Sequence, residues 1–283
     1  MRTVIKQLVK SSINFAVKMA VRTLVGRYFL SQISSGVMSR TRSVLHQGVD
    51  LTFVVPNAIS HYRIDTFPTK EPETLEWIDE IPQGSVLWDI GANIGLYTCY
   101  AVEARGCRVF AFEPSVFNLE LLARNIFLNG LVDQVTIIPI PLSDNRAFNT
   151  FNMESTEWAG ACSTFGQSYG QDGQALDKTF EFQTIGVSMA DAVEFLGLPQ
   201  PDYIKMDVDG IEHLILKGGA SVLRNVNGVL IEINEEFEKQ SVNSARYLSE
   251  AGLVLKEKRQ ADMFKNGPYK NSYNQIWHRS LTK

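Results

Sequence analysis

From Val86 onward the apolar positions fall into short runs that alternate with longer stretches at helical spacing. Val86–Ile90, Arg108–Phe112, Val135–Ile140, Tyr203–Val208 and Val229–Ile233 read as strands. Leu96–Glu103, Val116–Leu128 and a helix over Glu212–Leu223 read as the crossovers between them. Such alternation builds a mostly parallel sheet with helices on its faces. Upstream, Leu51–Val55 is a short strand closed by Pro56 and Asn57, and Glu73–Glu80 is a helix that stops before Pro82-Gln83-Gly84. A helix over 243–251 and apolar runs at Leu253–Leu255 and Gln275–Trp277 close the chain.

Two stretches leave this rhythm. From about Thr3 to Ile33, Val4, Ile5, Leu8, Val9, Ile13, Ala16, Met19, Ala20, Leu24 and Val25 stand mostly at helical spacing, so one helix is expected there. From Phe148 to Phe182 the chain is polar and carries Gly160, Gly166, Gly170 and Gly173. It is too long for an ordinary connection, and is expected to be either a lid or a hairpin insertion.

Charge sharpens the first of these. The 283 residues carry a formal charge of −4. Residues 1–49 hold eight of the 27 Lys and Arg and none of the 31 acids, so this arm is +8 and the body from Asp50 is −12. The basic residues are not confined to one clean face. Three readings stay open: a peripheral contact with an anionic membrane surface, a transit peptide, or a helix packed on the acidic body or on a second subunit of a homo-oligomer. Lys18 and Arg22 interrupt the apolar stretch, which argues against a secretory signal. The expected organisation is a basic helical arm over 1–49 and one domain over 50–283. A body this acidic is a poor match for nucleic acid, so none is expected as a partner. Three cysteines are too few for a disulfide framework and point to free thiols in a reducing, cytoplasmic setting, with the arm on the inner membrane face if it binds lipid.

The chemistry concentrates at strand ends. Trp88-Asp89-Ile90-Gly91-Ala92-Asn93-Ile94-Gly95 follows an apolar strand and opens a helix. Gly91 allows a sharp turn and Gly95 a close helix, leaving a ledge of N–H groups at the helix start. This is not the G-x-G-x-x-G of dinucleotide binding, and Asp89 stands where a pyrophosphate would be repelled. A carboxylate there suits a cation, and S-adenosylmethionine carries a sulfonium and an ammonium. Glu113, ending the next strand, fits paired ribose hydroxyls. Asp144, after the third strand, is placed to meet an adenine amino group. Alternatively, Asp89 and Glu113 only cap helices, but three acids at three successive strand ends make that reading the weaker one.

A second cluster is Lys205, Asp207, Asp209 and Glu212, around the end of the fourth strand. Lys205 and Asp207 alternate onto one face. Together these groups can tune a general base, although Glu212 also stands where a helix N-terminus favours an acid. His213 reads as a packing residue. Asp207, Glu232 and Asn234 form an oxygen set that could take Mg²⁺, but no His or Cys spacing accompanies it and no metal is expected.

At these residues the chain resembles the FkbM family of S-adenosylmethionine-dependent methyltransferases. "LWDIGANIGLYT", "VFAFEPS" followed by "NLELLARNIFLNG", "LSD", "YIKMDVDGIEHLILKGG" and "VLIEIN" carry the likeness in order over about residues 70–260. The resemblance implies the class I methyltransferase fold, a Rossmann-like α/β domain with seven strands ordered 3-2-1-4-5-7-6 and the last antiparallel. It implies methylation of a hydroxyl on a sugar, glycolipid or secondary metabolite, so the acceptor is a small molecule or glycan. On this sequence it assigns Asp89, Gly91, Ala92, Asn93 and Gly95 to the methionine part of the cofactor, Glu113 to the ribose and Asp144 to the adenine. Glu73 and Thr74 would touch the methionine carboxylate, and Lys205, Asp207 and Glu212 would face the substrate. Asp209 stands where the family usually has Glu. Asp207 is the first choice of base and Lys205, with a lowered pKa, the second. The alternatives are a nicotinamide-dependent oxidoreductase and a non-catalytic cofactor-binding scaffold.

Overall fold

The computed structural model describes residues 2–267 and 269–279. The chain opens with two helices, α1 (Arg2–Ala20) and α2 (Leu24–Met38), not one. Thr23 ends the first and caps the second, its hydroxyl accepting from the Gly26 amide at 3.0 Å. The arm then stops being helical. β1 (Thr41–His46) and β2 (Val49–Val54) form a hairpin that begins before Asp50. Its turn is Gln47-Gly48 with both residues at positive φ, a two-residue connection that "HQG" does not advertise. Asn125 and Asn129 accept from the backbone of Val54 and Thr52, at 2.8 and 2.9 Å, and pin β2 to the body.

Short helices α3 (Ala58–Asp65), α4 (Phe67–Lys70) and α5 (Pro72–Glu80) follow, and then the alternating unit. It runs β3 (Val86–Ile90), α6 (Leu96–Arg105), β4 (Arg108–Phe112), α7 (Val116–Leu128) and β5 (Val135–Ile138). The polar insertion contains β6 (Ala147–Met153), β7 (Ser163–Phe165) and β8 (Phe180–Gly186), a separate antiparallel sheet ordered β7-β6-β8. After α8 (Met189–Glu194) come β9 (Tyr203–Met206), α9 (Glu212–Lys217), α10 (Ala220–Leu223), β10 (Gly228–Asn234), α11 (Glu238–Glu250), β11 (Leu253–Arg259) and β12 (Ser272–Arg279). The expected single helix over Glu212–Leu223 is split where Gly219 packs against Met189 so closely that a Cβ would lie 1.9 Å from it.

The main sheet is ordered β11-β12-β10-β9-β3-β4-β5, with β12 antiparallel to both neighbours. Counting its strands along the chain, this is 3-2-1-4-5-7-6, the class I methyltransferase fold. Both faces are apolar. Trp88, Ile204, Met206 and Ile231 pack on one side, and Leu87, Val109, Ala111 and Leu230 on the other. A strand buried on both faces is a continuous apolar run, which is why β3 and β4 are legible to the residue. The carboxyl ends of β3, β4, β9 and β10 converge on one edge and carry the polar residues of the site.

Candidate functional site

The turn after β3 is held against β9. Gly91 adopts φ +85°, and a Cβ there would sit 1.8 Å from the backbone oxygen of Asp207. The amides of Gly91 and Ala92 both donate to the Phe112 carbonyl at 3.0 Å, so the turn is also stitched to β4. Asp89 lies beneath the turn. It accepts from the Thr98 hydroxyl at 2.6 Å and faces the Lys205 ammonium at 3.4 Å. Lys205 in turn donates to the Gly91 carbonyl at 3.2 Å and lies 3.6 Å from Asp207. Burial penalises the Lys205 charge, but Asp89 and Asp207 outweigh it and hold the lysine above its ordinary range. The expectation of a lowered lysine pKa, and so of Lys205 as a base, is therefore corrected. Lys205 is a fixed cation that ties strand to turn.

A cavity of about 310 Å³ opens above this floor. Gly91, Asn93 and Glu113 line it; Ala92 is buried under the turn and Gly95 starts α6, φ +84°, against Leu122. Glu113 accepts one amide on each oxygen, from Asn93 at 2.8 Å and Ser115 at 2.7 Å. Burial, opposed by those amides, pushes its pKa up to about 7. Beside it Ile90, Phe112, Ile140, Leu142 and Ile215 form an apolar slot. Asp144 is not part of it. Its half-buried carboxylate bonds the exposed Lys217 at 2.7 Å and is not among the residues lining the cavity.

The other end of the cavity is charged. Asp207 stands at the end of β9. Burial works against its charge, but Lys205 and a hydrogen bond from Glu232 outweigh burial and hold it at about 2. Glu232, on β10, is held well above the carboxylate range by burial and by the Asp207 charge. Glu73 lines the same region and accepts from Asn274 at 2.9 Å. Glu71 and Lys70 line the wall beside it, and the Thr74 hydroxyl, itself outside the lining, donates to Glu71 at 3.4 Å.

Glu212 does not reach it either. It accepts from the amides of Val208 at 3.0 Å and Gly210 at 3.1 Å and from the Gln240 side chain, clasping the loop after β9. Its expected catalytic place is thus taken by a structural one; burial pushes its pKa up to about 7. Asn234 is used in the same way, its oxygen accepting from the Glu236 amide at 3.0 Å. Among the described residues no cluster of three His, Cys, Asp or Glu is placed to hold a metal. His213 is buried edge-on to Phe237, and burial lowers its pKa to about 4.

The insertion roofs the cavity. Asp209, at φ +59°, accepts from the Cys162 and Ser163 amides at 2.8 and 3.2 Å. The Asn93 and Asn118 side chains donate to the Gly160 carbonyl at 2.7 and 3.2 Å. Arg63, Lys70 and Glu71 were not singled out from sequence. Arg63 donates through Nε to the Ala159 carbonyl at 2.8 Å, and Lys70 bonds Glu71 at 2.6 Å. The one signal was "TKEPE", a charged segment before a helix that nevertheless had to bury Glu71.

Residues 89–256, more than half of the chain, match the family model described as the methyltransferase FkbM domain. The chain belongs to the FkbM methyltransferases. S-adenosylmethionine is the cofactor, which sets aside the nicotinamide reading. The chain is 27% identical over 208 residues to the hexuronic acid methyltransferase AglP of Haloferax volcanii, covering 73% of this chain and 79% of that one. It is 27% identical over 163 residues to the 31-O-demethyl-FK506 methyltransferase FkbM of Streptomyces tacrolimicus, covering 49% of this chain and 61% of that one. Among solved structures, TYW2 from P. horikoshii in complex with MeSAdo matches 85% of this chain and 72% of that chain at 12% identity, TM-score 0.46. TYW2 from M. jannaschii in complex with AdoMet matches 85% and 87% at 14% identity, TM-score 0.44. Among the described residues no helix is long and apolar enough to cross a membrane.

Proposed function

We propose that this FkbM methyltransferase methylates an oxygen of a sugar acceptor that carries a carboxylate. The observation that carries the reading is a single cavity with a nucleoside-shaped half and an ionic half, which meet at Asp207. Glu113 would hold the ribose hydroxyls, the Ile140–Leu142 slot the adenine, and Glu71 with Glu73 the ammonium. The cofactor supplies a methyl group already activated on a sulfonium. Much of what remains for the protein is alignment, which can contribute roughly 7–11 kcal/mol.

Asp207 would accept the proton of the acceptor hydroxyl. Its low pKa does not disqualify it, because an oxygen that has gained a methyl group is strongly acidic and needs a base in the right place more than a strong one. Glu232, beside Asp207 in the same wall, would orient the same hydroxyl. Arg63 has no carboxylate partner among the described residues and lines this half. A guanidinium so placed suits a carboxylate, and AglP, whose name gives hexuronic acid as its substrate, fits that choice. The insertion would exclude water from the acceptor.

Titration calorimetry with S-adenosylhomocysteine tests the first half of the reading. Incubation with S-adenosylmethionine and paired aryl glucuronide and aryl glucoside acceptors tests the second, with products read by mass spectrometry. The expected result is one added CH₂ on the glucuronide, lost in Arg63→Gln, with the glucoside left unmodified. Equal methylation of both sugars would remove the carboxylate from the proposal, and cofactor binding without any product would favour the scaffold.

A further inference from the structure

The site makes no use of α1 and α2. From Leu8 to Ile33 these helices expose Leu8, Val9, Ile13, Phe15, Tyr28 and Phe29 among other large apolar side chains, and α2 buries none of its residues. Leu24 and Val25 are each 80% exposed, far beyond what a helix packed on its own body would leave open. The break at Val21–Thr23 explains why the basic residues looked scattered on one continuous helix. Within α1, Lys10, Asn14 and Lys18 stand in one row at four-residue spacing, with Val9, Ala16 and Met19 on the opposite side. α2 carries one basic residue, Arg27, among apolar and uncharged polar residues. No acid occurs before Asp50 to offset Lys10, Lys18, Arg22, Arg27, Arg40 and Arg42, all of them exposed.

We infer that α1 and α2 form a peripheral anchor on an anionic lipid bilayer, lying in its surface with their exposed apolar side chains in the headgroup layer and Lys10, Lys18, Arg22 and Arg27 against the phosphates. Charge complementarity selects this occupant, together with exposed apolar side chains on helices too polar to span. The anchor is rooted beside the cavity. Met38, at the end of α2, packs against the buried cluster of Val54, Ile94, Leu121 and Ala159, and Ala159 adjoins Gly160 of the cavity wall. Arg42 of the hairpin bonds Asp65 of α3 at 2.5 Å, and α3 presents Ile59 and Tyr62, both lining the cavity and 37% and 51% exposed. The anchor and the cavity rim are thus joined through the hairpin and α3. Resting on the methyl-transfer reading, the bilayer would face the acceptor entrance, and the acceptor would be a saccharide carried on a lipid.

Co-sedimentation of the full-length chain with phosphatidylglycerol-rich and with pure phosphatidylcholine vesicles tests the anchor. The expected result is at least roughly tenfold tighter binding to the anionic vesicles. The variant with Lys10, Lys18, Arg22 and Arg27 all changed to Gln should lose that preference, and the Leu24→Asp/Phe29→Asp variant should lose binding to both. Each should still take up S-adenosylhomocysteine like the parent chain, which shows that the body is folded. The anchor is overturned if the parent ignores anionic vesicles or if either variant binds them equally well. It is also overturned if light scattering shows a stable dimer that Leu24→Asp/Phe29→Asp dissociates, since a second copy then covers these helices. A parent chain that takes up no S-adenosylhomocysteine strikes the methyl-transfer reading alone and leaves the vesicle result to be read independently.

Discussion

Asp207 and Lys205 are two residues apart, yet they do different work, and substitution separates them. Asp207 faces the cavity with its charge already compensated. Asp207→Asn keeps the shape and should lower turnover about 10²–10⁴-fold while leaving S-adenosylhomocysteine affinity within a few-fold. Unchanged turnover in a steady-state assay would remove Asp207 from the reaction. Lys205 is the only cation in contact with the buried Asp89 among the described residues. Lys205→Met leaves that carboxylate uncompensated and should cost about 3–5 kcal/mol in a urea unfolding curve, with or without substrate. Glu113 gives a third test. Its pKa of about 7 means that it ionises near neutrality, and only the ionised form accepts fully from ribose hydroxyls. Affinity for S-adenosylhomocysteine should rise between about pH 6 and 8, and Glu113→Gln should flatten that rise while weakening binding.

At the scale of elements, the strands buried on both faces were legible because a continuous apolar run has few other meanings. The glycine turn was legible because Gly91 and Gly95 combine with acids in a fixed spacing. What was not legible depended on contacts distant in sequence. Asp144 looks like an adenine ligand until the chain turns it toward Lys217, and Glu212 looks like a substrate ligand until Gln240, from α11, meets it. Of the hairpin only the second strand was legible, as Leu51–Val55; β1 was hidden because its mostly exposed residues leave little alternation to read, and Asn125 and Asn129, in and just after α7, hold the pair. The turn itself can be tested. Gly91→Ala adds a Cβ 1.8 Å from the Asp207 oxygen in a backbone region that alanine avoids. It should lower both stability and turnover, whereas Gly130→Ala, also at positive φ but with open space around it, should affect stability alone, by about 1 kcal/mol.

For the molecule as a whole, the buried carboxyls set how stability answers to pH. Glu113 and Glu212 both have folded pKa values of about 7, above the ordinary value of 4.5. Between about pH 4.5 and 7 an unfolded chain has already released these protons and a folded one has not, so stability should fall as pH rises through that window. His213, lowered from an ordinary 6.5 to about 4, works the other way between about pH 4 and 6.5 and offsets one of the two carboxyls there, so the net trend stays downward. Unfolding midpoints for the cofactor-free protein across that range check the sign, and a rising midpoint would contradict it. The split of charge between arm and body was plain in the sequence, but the exposure of the arm's apolar side chains was not, because spacing alone cannot say whether a face is covered.

Asn93 touches both halves of the molecule's business. Its amide serves Glu113, and its side chain grips Gly160 of the roof. If Glu113 holds the ribose as proposed, Asn93 links that position directly to the segment over the acceptor half, so occupancy of one should stiffen the other. Proteolysis should report this directly: nicks within 154–178 should slow when S-adenosylhomocysteine is present, and Asn93→Ala should abolish the protection before it abolishes the binding.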